Sequence, residues 1–168
     1  GILRERGTVA GRVGVEERVR WFVCDGIRQA APAATLASAT PVTAGCRMHK
    51  SPAELALMQR ANDVTMAAFR TVIPTMREGM TQQELSSGMS AAMTKLGGED
   101  PWALILFGPG SAFPHGTREP HLLQPGDIVL MDCGCAISGY QADITRTTVF
   151  GKPSARQRQV WELERRAQ

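Results

Sequence analysis

The apolar run Ile128-Val129-Leu130-Met131 ends on an aspartate, Asp132, where a buried strand would continue with another apolar side chain. Small residues follow, then Ile137, a Ser138-Gly139 turn and a second strand-like run, ADITRTTVF, residues 142–150, which carries Asp143. Two such runs around a Ser-Gly pair read as a β-hairpin. Side chains alternate along a strand, so Leu130 and Asp132 share one face, as do Asp143 and Thr145. A turn centred between Ile137 and Ser138 sets Asp132 directly opposite Asp143, with Cβ atoms about 4.5–5.5 Å apart. A turn centred on Ser138-Gly139 makes them diagonal neighbours instead. Two carboxylates so placed repel each other, and burying an unpaired charge is costly. A divalent cation between them would relieve both problems. The alternative is that both aspartates face solvent, as is common beside turns.

The rest of the chain frames this hairpin. Three helix starts share one capping pattern: Ser51-Pro-Ala-Glu54, Thr81-Gln-Gln-Glu84 and Ser154-Ala-Arg-Gln157. Behind the first, Leu55, Met58, Thr65, Met66 and Phe69 recur near helical spacing; behind the second, Leu85, Met89, Met93 and Leu96 do so, and Gly97-Gly98 ends the run. Met-rich stripes read as core, because Met fills irregular gaps. The third helix, ahead of Val160 and Leu163, is mostly charged and reads as a solvated face. WALILF, residues 102–107, is a short strand that leads into the Gly/Pro-rich loop GPGSAFPHG, residues 108–116. Near the start, residues 14–30 show helical spacing closed by Pro32, and ATLASATPV, residues 34–42, reads as a strand. TAGCRMHKSP, residues 43–52, is polar and punctuated, and a domain boundary is expected near residue 48.

Composition narrows the class. Among 168 residues 43% are hydrophobic and 21% charged, enough for a packed core. The net charge of +3 is small and scattered, with no basic cluster interleaved with aromatics, so neither nucleic acid nor a membrane surface is an expected partner. No apolar run approaches a membrane span. The four cysteines, Cys24, Cys46, Cys133 and Cys135, are expected to be reduced thiols, which suits a cytoplasmic protein. A single C-x-C pair is a poor zinc signal. The chain opens GILRERG without a Met and stops within a helical pattern, so it is expected to be a piece of a longer protein.

The order of motifs adds to this reading. RMHKSPAELALM (47–58), GPGSAFPHG (108–116), LQPGDIVLMDCG (123–134) and GYQADITRTTVFGKPSARQRQVWEL (139–163) together resemble the pita-bread metallopeptidases. Within them the similarity is to the Xaa-Pro peptidases, prolidase (Xaa-Pro dipeptidase) and aminopeptidase P. The resemblance implies an α+β pita-bread (creatinase/aminopeptidase) fold. Residues 48–168 would be the first half of its catalytic domain, and residues 1–47 the end of an α/β N-terminal domain.

The family site holds two divalent ions, Mn, Co or Zn, on two aspartates, a histidine and two glutamates. Asp132 and Asp143 match the two aspartates. His115 matches the loop histidine that contacts substrate or the reacting centre. The other ligands would lie beyond residue 168, since neither of the other two histidines, His49 and His121, sits in the motif of the ligating histidine. Thr145 is a candidate partner for a metal-binding carboxylate, or an ordinary strand threonine. The implied activity is metal-dependent hydrolysis of Xaa-Pro peptides, a dipeptidase before an aminopeptidase. The implied partners are a dipeptide or short peptide, the C-terminal remainder of the domain, and a second copy in a homodimer. This chain alone would be inactive. Creatinase, which shares the fold, lacks the aspartate pair. Non-catalytic pita-bread binding modules remain a rival, and they usually lose metal ligands.

Overall fold

The computed structural model describes residues 2–7, 9–117 and 119–168, in two compact units, 1–51 and 52–168. In the first unit α1 (Ile2–Glu5) precedes β1 (Arg12–Val15), α2 (Trp21–Ala30), β2 (Thr35–Ser38) and α3 (Thr40–Met48). β1 and β2 pair in parallel from Arg12↔Thr35 to Val15↔Ser38, and α2 is the crossover that a parallel pair requires. Two expectations are corrected here. The helix expected from residue 14 begins only at Trp21, because Val13 and Val15 belong to β1. The strand expected over 34–42 stops at Ser38. Thr40 and Pro41 open a helix instead, with proline in the first turn, where its missing N–H costs nothing.

The second unit begins with α4 (Pro52–Val72) and α5 (Gln82–Lys95). β3 (Glu99–Phe107) follows, then β4 (Ile128–Ile137), β5 (Tyr140–Gln141), β6 (Ile144–Val149) and α6 (Ala155–Ala167). The expected capping boxes on α5 and α6 both form: Thr81 and Ser154 accept from the N–H groups of Glu84 and Gln157, whose side chains accept in return. Gly97, at φ +89°, closes α5, with the Gly98 N–H bonded to the Met93 carbonyl at 2.9 Å.

β4 is the centre of the sheet. β3 pairs along one edge, and β5 and β6 share the other, all antiparallel. One face of β4 presents Val129, Met131, Cys133 and Cys135, flanked by Ile105 and Phe107 of β3. These pack on Val64, Ala68, Phe69 and Val72 of α4 and on Leu85, Met89 and Met93 of α5. The methionine stripe is therefore core. At its periphery the stripe leaves the core: Leu55 and Leu96 are exposed. α6 buries no residue, and Val160, Trp161 and Leu163 stand in the open. All four cysteines are free thiols. Burial, with a smaller contribution from the Asp132 charge, pushes the Cys133 thiol up to about 12, so it stays protonated at neutral pH.

Met89 is fully buried, whereas Leu55 is about half exposed. Met89→Ala is expected to cost about 2–5 kcal/mol of unfolding free energy, and Leu55→Ala less than about 0.5 kcal/mol, measured by urea denaturation of the complete protein.

Candidate metal centre

The other face of β4 carries Leu130, Asp132 and Gly134, opposed on β3 by Leu106, Leu104 and Trp102. Asp132 is thus displaced from the apolar core by one step of strand alternation. The hairpin turn is Ser138-Gly139, both at positive φ (+50° and +81°), closed by the pair Ile137↔Tyr140. This is the second of the two registers allowed by the sequence. Asp132 lies opposite Thr145, and Asp143 directly precedes Ile144, the partner of Cys133; continuing that register by one residue sets Asp143 beside Gly134, diagonal to Asp132.

The ladder is interrupted at Ala142 and Asp143, between β5 and β6. The Ala142 carbonyl oxygen occupies the space beside Gly134: a Cβ on Gly134 would lie 2.0 Å from it and 2.9 Å from Trp102 Nε1. Glycine is required there for the second aspartate's segment to come so close. Asp143 itself is exposed, and Asp132 half-buried.

Asp132 is oriented by a neighbour. The Thr145 hydroxyl donates to Asp132 Oδ1 at 2.7 Å. Thr145 was one of two open readings in the sequence, and it bonds Asp132, not the aspartate on its own strand. Arg146, the next residue, turns to the opposite face and reaches Met66 Sδ at 3.5 Å. There it lines an open, mainly apolar groove of about 400 Å³ with Met66, Phe69, Ile73 and Met131. Because Met131 and Arg146 alternate with Asp132 and Thr145, this groove opens on the other side of the sheet from the aspartates.

Among the described residues, no lysine or arginine forms an ion pair with Asp132 or Asp143. Two hard oxygen donors without a counter-cation suit a divalent ion. No group of three or more His, Cys, Asp and Glu able to hold a metal occurs among the described residues. The aspartates are therefore fit to supply part of a metal's donor set, not the whole.

His115 sits in the loop between β3 and β4, exposed, in a turn where the Gly116 N–H bonds the Phe113 carbonyl at 3.1 Å. Gly116 (φ +75°) lies on Leu106, whose Cδ2 is 2.6 Å from where a Cβ would stand. Leu106 shares its face with Leu130 and so with Asp132, which brings the histidine's loop back to the aspartate side of the sheet. Two contacts were not anticipated. The Tyr140 hydroxyl donates to Glu54 Oε1 at 2.8 Å, pinning the hairpin to the first turn of α4; that bond holds the phenol above its usual pKa. His121 Nε2 pairs with Asp127 Oδ2 at 2.8 Å. The Tyr140–Glu54 contact spans 86 residues, and no local pattern announces it.

Residues 56–168 match the family model described as metallopeptidase family M24. The chain belongs to metallopeptidase family M24. An uncharacterized peptidase of Schizosaccharomyces pombe is 35% identical over 155 residues, 89% of this chain and 33% of its own length. The Xaa-Pro dipeptidase of Pyrococcus furiosus is 27% identical over 158 residues, covering 93% of this chain and 45% of its own. The X-Pro aminopeptidase of Thermotoga maritima superposes with a TM-score of 0.87 at 26% identity, over 96% of this chain and 46% of that one. The M24 chain thus adopts part of the pita-bread fold and spans less than half the length of these relatives.

The close approach at Gly134 gives a direct test. Gly134→Ala is expected to displace residues 142–143 and to lower stability by about 1–3 kcal/mol, read as a fall in thermal midpoint.

Proposed function

We propose that the complete protein hydrolyses peptide bonds that precede proline, and does so only with divalent metal. The observation that carries this reading is the pair Asp132 and Asp143, brought to one side of the sheet and unneutralised by any described cation, in a chain of an M24 metallopeptidase family. The P. furiosus and T. maritima relatives, named as acting on Xaa-Pro and X-Pro substrates, support the substrate class.

Asp132 and Asp143 would act as ligands, with a histidine and two glutamates from outside the 168 residues completing the set. Two ions drawn from Mn, Co or Zn fit carboxylate and imidazole donors. Bound there, such ions supply Lewis acidity and a water acidic enough to ionise near neutral pH. The chain's own residues do the positioning. Thr145 holds one oxygen of Asp132, leaving the other free to ligate. His115 donates a hydrogen bond to the substrate carbonyl oxygen as negative charge gathers on it. With only two of the ligands, residues 1–168 alone would not turn over substrate.

A dipeptide is the favoured substrate length. The aminopeptidase reading, for longer peptides, draws on the likeness to the T. maritima enzyme. A homodimer and a cytoplasmic location complete the proposal.

Release of the N-terminal residue from an Xaa-Pro dipeptide and from an Xaa-Pro-Xaa tripeptide tests both points. Activity should disappear on exhaustive chelation and return with Mn(II), and Asp143→Ala should lower kcat/KM at least about 10³-fold. Full activity in chelator would refute metal dependence. Thr145→Val should weaken divalent binding about tenfold in calorimetry, because a supporting bond to a ligand is lost.

A further inference from the structure

The pair His121 and Asp127 takes no part in the metal centre described above, yet several separate contacts converge on it. His121 Nε2 meets Asp127 Oδ2 at 2.8 Å, and that same oxygen accepts the Gln124 backbone N–H at 2.8 Å. Asp127 is also tied through its main chain. Its carbonyl accepts from Phe150 N at 2.9 Å, and the Gly126 N–H bonds the Phe150 carbonyl at 2.7 Å. The carboxylate is thereby fixed to the residue just before β4, which carries Asp132, and to the residue just after β6.

What faces this fixed carboxylate is the start of the histidine loop. Gly108 follows directly on β3 and has φ +50°. A Cβ there would lie 2.7 Å from Asp127 Oδ1 and 3.0 Å from His121 Nε2. The chain therefore leaves β3 at Gly108 and returns at His121, and the two ends touch at the pair. From Gly108 a run of short bonds leads to the histidine. The Ser111 hydroxyl donates to the Gly108 carbonyl at 2.7 Å, Phe113 N–H to Gly110 at 3.2 Å, and Gly116 N–H to Phe113 at 3.1 Å. The far side of the loop rests on Leu106 at Gly116.

A plain surface ion pair does not account for this arrangement. Asp127 is largely buried, at 14% side-chain exposure, and His121 is at 34%. Such a partly exposed pair adds little to stability by its charge alone. Its distinctive feature is placement: it closes the neck of the His115 loop and anchors that neck to the strand of Asp132.

We propose that His121 and Asp127 form a latch that positions His115 over the Asp132 face of the sheet. The latch acts through His115 and is a positioning pair, not a catalytic one. Its effect on turnover rests on the proposed hydrolysis, and its effect on the loop does not. Loosening the neck lets His115 drift from the place where charge develops, and small misplacements of a positioned group cost rate heavily. An interaction made only in the transition state shows in kcat more than in KM.

The experiment is a double-mutant cycle in the complete, metal-saturated protein, combined with amide hydrogen exchange. His121→Ala should lower kcat about tenfold with KM little changed, and should cost nothing further when His115→Ala is already present. His121→Gln, which still donates an N–H to Asp127, should recover part of the loss. Gly108→Ala should imitate His121→Ala, since its methyl group would displace the pair. In His121→Ala and in Asp127→Asn, exchange over residues 109–117 should quicken while residues 129–133 stay protected.

An equal loss of kcat with and without His115 would overturn the latch, because the pair would then act on the molecule as a whole. If the wild-type protein cleaves no Xaa-Pro peptide, the hydrolytic reading fails by itself and the exchange measurement decides alone. Unchanged protection of residues 109–117 in both variants would then refute the latch.

Discussion

Alternation along β4 is the constraint from which the rest follows. Val129, Met131, Cys133 and Cys135 have no exposed surface, and all four turn into the layer formed by α4 and α5. With that face apolar, Asp132 must lie on the other. A slip of one residue in the register would exchange the two sets. It would carry Asp132 into a core of Phe69, Phe107, Met89 and Met93, where an unpaired carboxylate is strongly disfavoured. The same packing that stabilises the sheet therefore sets the side on which the carboxylate stands.

Around this strand, positional control comes from few polar contacts, each linking a distant segment to it. Thr145 orients Asp132 across the hairpin. Tyr140 ties the turn to Glu54 on α4. Asp127 joins the start of β4, the end of β6 and the neck of the His115 loop. Gly134 contributes by having no side chain, which admits the Ala142 carbonyl and with it the segment of Asp143. Arg146 is the nearest cation in the sequence to Asp143, and its position on the opposite face keeps it from neutralising the aspartates.

Much of this was legible in the residues, wherever the determinants are local. The boxes at Thr81 and Ser154, the Gly97-Gly98 stop and the Leu85, Met89, Met93 stripe each depend on neighbours within a few positions, and each appears as read. The hairpin was legible up to its register, because Ser138-Gly139 and the adjacent pair Ile137-Ser138 both allow a turn. The structure decides for the former through positive φ at both residues. The first unit was less legible. Its strands are four residues long, and Gly45 and Pro41 in α3 resemble loop residues when tertiary context is unknown. Leu55 and Leu96 fit a helical stripe by spacing, yet lie where no second element covers them. The contacts of Glu54 with Tyr140 and of Thr145 with Asp132 arise only once the sheet is assembled, so spacing along the chain does not reveal them.

We propose that the hairpin of β4 and β6 brings Asp132 and Asp143 together for a divalent cation. Anomalous scattering from crystals of the complete protein grown with Zn(II) tests it most directly. Carboxylate oxygens of both aspartates are expected within about 2.0–2.2 Å of zinc peaks on the Leu104–Leu130 side of the sheet. Zinc peaks that neither aspartate reaches, or carboxylates found on opposite faces of the sheet, would contradict it.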